Sequence, residues 1–137
     1  MDSKTKNTLL IVGAVVLAAV FVMFGAGKFI DPAKWIDKFA GWGIPAWFVP
    51  VSGALEFAGA VGLLLPVLRG IAGLGLATFM LGAVGTHVIH AEIGMIFVAG
   101  AILIASAALG WLRLPETLAF WRSFVSGQEA PAFDRTA

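Results

Sequence analysis

Long apolar segments dominate the chain, and their lengths predict helices that cross a membrane. About 20 helical residues span the hydrocarbon core of a bilayer. Strands of a β-barrel would alternate apolar and polar positions, and these segments do not. Four spans are predicted, at about 8–27, 47–65, 70–90 and 93–112. The pattern therefore predicts an all-α fold, an integral membrane bundle of four transmembrane helices.

Two further segments are typical of amphipathic helices in the membrane interface. One follows the first span, where Asp31 and Pro32 favour a helix start; an ordinary anchored loop is the alternative. Its apolar positions are Trp35, Ile36, Phe39 and Trp42. The other follows the fourth span, with apolar positions at Leu114, Leu118, Trp121 and Val125. Since apolar side chains recur at helical spacing, we expect both segments to lie at a membrane surface.

The domain organisation and orientation follow from run lengths and from the basic residues. The first apolar run exceeds the usual signal-peptide core of about 7–15 residues, so we interpret it as helix one. Residues 1–125 are predicted to form a single membrane domain and residues 126–137 a flexible tail. The side with both termini carries Lys4, Lys6, Arg69, Arg113, Arg122 and Arg135, against Lys28, Lys34 and Lys38 opposite. This bias predicts both termini in the cytoplasm of a bacterial-type inner membrane.

Composition narrows the function classes. The chain is 60% hydrophobic and 12% charged, whereas soluble domains are about 45–50% apolar and about 25% charged. A formal net charge of +1 gives no basis for nucleic-acid binding. The sequence has no Cys, which excludes disulfides, thiol catalysis and iron–sulfur clusters. We therefore expect no intrinsic cofactor and assign no catalytic residue.

Glu56 is the most informative residue, because an ionisable group inside an apolar helix usually faces the bundle interior. Its helical neighbours are small, namely Ser52, Gly53, Gly59 and Ala60. Such residues allow another helix to approach closely. Lys28 ends the first span at a similar depth, so we predict that Lys28 and Glu56 are in contact within one protomer. The pair is either a functional site, as proton carrier, cation site or ligand anchor, or a structural ion pair.

His87 and His90 lie three residues apart near the outer end of the third span, so they are expected to share a helix face. With Glu56 they would form an outward-facing polar pocket. The spacing does not predict a metal site, because a metal needs convergent ligands with a second shell of partners. Neutral histidines donate and accept hydrogen bonds, which suits a quinone carbonyl, a pH-responsive role or a purely structural one.

Several short motifs together resemble the DoxX and DoxX-like family of small four-helix membrane proteins. They are Phe24-Gly25-Ala26-Gly27-Lys28-Phe29, Gly43-Ile44-Pro45, the run from Glu56 to Leu65, and Met80, Ala83 and His87. The resemblance covers roughly residues 9–112 and maps the family's recurrent Lys and Glu onto Lys28 and Glu56. Some relatives are subunits of thiosulfate:quinone oxidoreductase, which implies a membrane subunit of a redox assembly.

Three functions stay open at this point. The first is an accessory subunit of a quinone-linked redox or respiratory complex, non-catalytic by itself, that anchors partner subunits and lines a quinone or lipid site at Lys28, Glu56, His87 and His90. The second is a structural or assembly subunit without ligand chemistry. The third is a small proton-coupled transporter centred on Glu56, although the basic bias argues against the dual topology of small multidrug-resistance proteins.

Overall fold

The computed structural model describes residues 2–129, and the regular elements within that range are five α-helices. They are α1 (Ser3–Ile30), α2 (Pro32–Gly41), α3 (Phe48–Leu64), α4 (Arg69–Ile89) and α5 (Ile93–Ser126). A helix therefore lies at each of the four predicted spans, and α2 lies where a helix was predicted after the first. Asp31 begins α2, since its carboxylate accepts a hydrogen bond from the Lys34 backbone N–H at 3.3 Å.

The exterior of the bundle is apolar, which is the reverse of a soluble protein. Large side chains such as Val16, Leu81 and Ile104 lie on the outside, while Lys28 and Glu56 are buried. Three helices, α1, α4 and α5, are long and apolar enough to cross a membrane. The helix α3 is equally apolar but shorter, at 17 residues. The chain is therefore a membrane protein whose apolar helices are embedded in a lipid bilayer.

The helices pack as two antiparallel pairs, α1 with α3 and α4 with α5, and α3 joins the pairs by packing against α4. The shared core consists of Ala14, Leu17, Ala18, Phe21, Ala60, Leu63, Leu76, Met80, Ala99 and Leu109. The direct contact between α1 and α5 is slight. This arrangement leaves space between the two pairs at the end of the bundle that α2 covers.

The prediction of a separate interfacial helix after the fourth span is wrong. Residues 114–125 are the last turns of α5, which runs unbroken for 34 residues with Pro115 inside it. Contacts with the start of α4 and the α3–α4 turn hold this extension. The Thr117 hydroxyl accepts a hydrogen bond from the Gly70 backbone N–H at 3.1 Å, and the Trp121 indole donates to the Val67 carbonyl at 3.2 Å. Tertiary packing thus overrides the helix-breaking tendency of proline.

The opposite end of the bundle gathers the first turns of α1 and the middle of α5. The Arg113 guanidinium donates to both carboxylate oxygens of Glu116, at 2.6 and 2.8 Å, and also to the Asn7 side chain. The α5 helix ends at Ser126. The predicted flexible tail therefore begins at the end of a helix, and its residues 130–137 lie outside the part of the chain that the structure describes.

The turn between α4 and α5 contains a strained residue. Ala91 has φ of +54°, in the left-handed region that glycine adopts without steric conflict. We expect Ala91→Gly to raise the free energy of unfolding by about 1 kcal/mol, because it relieves this conformation. Unfolding in mixed micelles titrated with SDS measures the change.

The matched control is Ala101→Gly, at an exposed position within α5, which should lower stability by about 1 kcal/mol. If Ala91→Gly and Ala101→Gly changed the free energy of unfolding in the same direction, the strain at Ala91 would be contradicted.

Candidate functional site

Close packing of α1 against α3 sets the position of Lys28 and Glu56. A methyl group added at Gly25 would lie 3.1 Å from the Gly53 carbonyl oxygen, so neither glycine leaves room for a larger side chain. Lys28 and Glu56 each lie one turn beyond these glycines. Side chains tilt toward the N-terminus of their own helix, so on antiparallel helices the two side chains lean toward each other.

The predicted contact between Lys28 and Glu56 is present. Lys28 Nζ lies 2.6 Å from Glu56 Oε2, and the two side chains are only 5% and 7% exposed. The ammonium group also lies 3.4 Å from the Phe24 carbonyl oxygen and 4.7 Å from the centre of the Trp35 ring. The lysine is therefore held from three directions inside the bundle, and it does not extend to the surface.

This ion pair lines a cavity of about 390 Å³ between the two helix pairs. All five helices contribute to its wall. The lining residues are Phe24, Lys28, Trp35, Lys38, Phe39, Trp42, Ile44, Phe48, Glu56, Thr78, Phe79, Met80, Gly82, Ala83, Thr86, His87, Met95, Val98, Ala99 and Ile102. The wall is mostly aromatic and aliphatic, with few polar groups, which is typical of small-molecule sites of about 300–1,000 Å³.

His87 is the third predicted site residue that lines this cavity. Its Nδ1 lies 2.6 Å from Glu92 Oε2 across the α4–α5 turn. The Trp42 indole packs edge-on against the imidazole at 5.4 Å. The glutamate, one-third exposed at 31%, therefore orients the imidazole at the mouth of the cavity.

His90 does not line the cavity, so the polar pocket predicted from both histidines is only partly present. The helix α4 ends at Ile89, and His90 is its C-cap residue with φ of −96° and ψ of 11°. Both histidine rings contact Trp42, so the two residues lie on one side of the helix end, but His90 does not reach the cavity. Its ring instead stacks on Trp42 at 6.1 Å, on the outside of the cavity mouth.

The sequence interpretation missed three contributors to this site: Glu92, Trp42 and Lys38. Lys38 Nζ lies 4.8 Å from the Trp42 ring and 5.9 Å from the Trp35 ring, so α2 closes over the cavity. Trp42 and Lys38 were interpreted as parts of a surface segment, and Glu92 follows the last histidine by two residues. The position of Glu92, an acidic residue just after the two histidines, was the sequence signal that could have indicated its role.

The pKa of Glu92 lies below its ordinary value of 4.5, mainly because His87 hydrogen-bonds the carboxylate, with further contributions from the charge of Lys38 and from Trp42. A lowered pKa in the folded state stabilises the fold above the unfolded pKa, and this stabilisation disappears as the pH falls through the folded value. We therefore expect the stability difference between the chain and its Glu92→Gln variant to be constant near neutral pH and to shrink in acid.

Unfolding of both proteins in micelles between pH 3 and pH 7 measures that difference. Glu129→Gln, at an exposed position beyond α5, is the control. A difference between the chain and Glu92→Gln that persists undiminished at pH 3 would rule out the lowered pKa.

Comparison with known proteins agrees with this architecture. Residues 12–109 match the DoxX-like family, which covers most of the membrane bundle and includes Lys28, Glu56 and His87. No curated protein matches the chain, and no solved structure matches it. Because the matched segment exceeds half of the sequence and contains the ion pair and the whole cavity wall, the chain belongs to the DoxX-like family.

Proposed function

We propose that this chain is an accessory membrane subunit of a quinone-linked redox or respiratory complex, and that its cavity holds the quinone head group. In this proposal α3 completes a four-span bundle, since its 17 residues extend about 26 Å, at the short end of what crosses a bilayer. Both termini lie in the cytoplasm of a bacterial-type inner membrane, and α2 lies in the outer interface.

The observation that carries the proposal is the cavity with its buried ion pair. A quinone has a flat polar ring and a long apolar tail, so its site needs aromatic and aliphatic walls with a few fixed polar groups. Phe39, Phe48 and Met80 provide such walls, and Lys28, Glu56 and His87 provide the polar groups. A purely structural ion pair requires no cavity beside it.

The proposal assigns the electron-transfer chemistry to partner subunits. The sequence has no Cys, and thus no thiol or cluster ligand of that kind. The role of this chain is then to bind and orient the quinone beside a partner that carries a redox cofactor. Apolar side chains on the exterior, such as Phe97, Ile104 and Trp111, can contact either lipid or such a partner.

The test is purification from native membranes in a mild detergent, followed by mass spectrometry of the co-purifying proteins and by extraction and quantification of quinone. Ala83→Leu narrows the cavity, because Ala83 belongs to its wall. Ala105→Leu adds the same atoms at an exposed position of α5. We expect quinone and a cofactor-bearing partner with the chain and with Ala105→Leu, and loss of quinone with Ala83→Leu.

Other outcomes separate the alternatives. Recovery of a partner protein without quinone would favour a structural or assembly subunit as the function of this chain. Quinone that is equally abundant in Ala83→Leu and Ala105→Leu preparations would place it in the surrounding lipid, outside the cavity. A homogeneous oligomer of this chain with neither quinone nor partner would overturn the proposal. Proton-coupled uptake in vesicles that Glu56→Gln abolishes would favour the transporter.

A further inference from the structure

The ammonium group of Lys28, a hydrogen-bond donor in the cavity wall, is already engaged by the protein. An ammonium group has three donor hydrogens. The Glu56 carboxylate at 2.6 Å, the Phe24 carbonyl at 3.4 Å and the face of the Trp35 ring at 4.7 Å give the ammonium group three partners. A ligand that needs a donor from Lys28 would have to displace one of these partners.

The other donors among the described wall residues lie against protein groups or at the mouth of the cavity. The hydroxyls of Thr78 and Thr86 donate to carbonyls of their own helix at 3.0 and 2.9 Å. The Trp42 indole lies beside Glu92, whose pKa it helps to lower, and the Trp35 indole nitrogen lies against α1 at Gly27. Lys38 lies half-buried at the mouth of the cavity, over the two tryptophan rings.

The hydrogen-bond acceptors in the wall, by contrast, still have lone pairs available for a ligand. A carboxylate has about four lone-pair positions, and Lys28 contacts only Oε2 of Glu56. In His87, Nδ1 lies 2.6 Å from the Glu92 carboxylate. An ionised carboxylate can only accept a hydrogen bond, so Nδ1 carries a hydrogen, and in the neutral imidazole Nε2 is then an acceptor. The interior of the cavity therefore offers acceptors from two sides.

We propose that this cavity binds the reduced, hydroxyl-bearing quinol in preference to the oxidised quinone, with Glu56 and His87 accepting hydrogen bonds from the quinol hydroxyls. This inference rests on the proposed quinone site. An oxidised quinone has only carbonyl acceptors in its ring, and it would face the acceptors of Glu56 and His87 without a donor. In this proposal His87 contacts the ligand, and Glu92 is a positioning residue that fixes the imidazole tautomer.

The experiment titrates the purified full-length chain in detergent micelles under anaerobic conditions, with tryptophan fluorescence as the signal. The probes are a benzoquinone with a ten-carbon tail and the same compound reduced with borohydride. We expect the dissociation constant of the quinol to be at least tenfold lower than that of the quinone. His87→Phe should remove most of this preference by weakening quinol binding, with little change for the quinone.

His90→Phe is the matched control, because His90 also contacts Trp42 but does not line the cavity. It should leave both dissociation constants unchanged. Glu92→Gln retains the imidazole, but the new amide can donate to Nδ1 and thus move the hydrogen to Nε2. That variant should bind quinol less tightly and quinone more tightly, and it tests the tautomer even when His87→Phe fails to fold.

The outcomes distinguish this inference from the function on which it rests. Equal affinities, or tighter binding of the oxidised quinone, would overturn the quinol preference and leave the quinone site standing. A preference that survives both His87→Phe and Glu92→Gln would overturn the role of the His87–Glu92 pair. Binding of neither form would overturn the proposed site and this inference together.

Discussion

Replacing Lys28 with methionine is expected to lower the free energy of unfolding by about 3–5 kcal/mol, because it leaves the Glu56 carboxylate buried without its counter-charge. Glu56→Met should also destabilise, but by less. Lys28 lies two residues before the end of α1, so an unpaired lysine can extend to the interface. Glu56 lies in the middle of α3, so its side chain cannot extend to the interface.

The double variant Lys28→Met/Glu56→Met should recover most of the loss, since replacing a buried ion pair by apolar side chains of similar size is often neutral or stabilising. Unfolding of all four proteins in SDS-titrated micelles gives the coupling free energy. Lys34→Met, at an exposed position of α2, should change stability little. Losses that simply add in the double variant would show that the contact contributes no coupling free energy.

The cycle also separates stability from function. If the double variant is as stable as the original chain but no longer binds the quinol, the ion pair is present for the ligand and not for the fold. A double variant that is stable and still binds would assign recognition to His87 and the apolar walls. Either result is informative because the folded state is preserved in both.

The long apolar helices and the ion pair could be predicted because both depend on depth in the bilayer. The thickness of the hydrocarbon core fixes helix length, and a charge within an apolar run must turn inward to find a partner. The rise per residue then places Lys28 and Glu56 at nearby depths. Their antiparallel helices and N-terminal side-chain tilt complete the contact at 2.6 Å.

The features that the sequence did not predict depend on where a helix ends and on which face it packs. Pro115 breaks many helices, but contacts of Thr117 and Trp121 with the α3–α4 region carry α5 past it. His90 leaves the helix one residue after α4 ends, which a three-residue spacing cannot reveal. Glu92 joins the site only because the α4–α5 turn folds back onto His87.

A large effect of a single methyl group is expected at Gly110, where α5 meets α4. A methyl group there would lie 2.6 Å from the Leu74 backbone nitrogen and 2.8 Å from the Gly73 carbonyl carbon. A flexible side chain could move aside, but backbone atoms move only if the whole helix shifts. We expect Gly110→Ala to lower the free energy of unfolding by about 3 kcal/mol, at the upper end for overpacking.

Gly100→Ala is the control for Gly110→Ala, since both glycines belong to α5 and a methyl group at Gly100 would meet no atom within 4 Å. It should be neutral or slightly stabilising, because alanine favours helices over glycine. Unfolding in SDS-titrated micelles compares the two variants. Equal stabilities of Gly110→Ala and Gly100→Ala would mean that α4 and α5 can move apart without loss. The α4–α5 contact would then not fix the positions of His87 and Ala99 around the cavity. A selective loss at Gly110 would show that close backbone packing between these helices maintains the geometry on which the site depends.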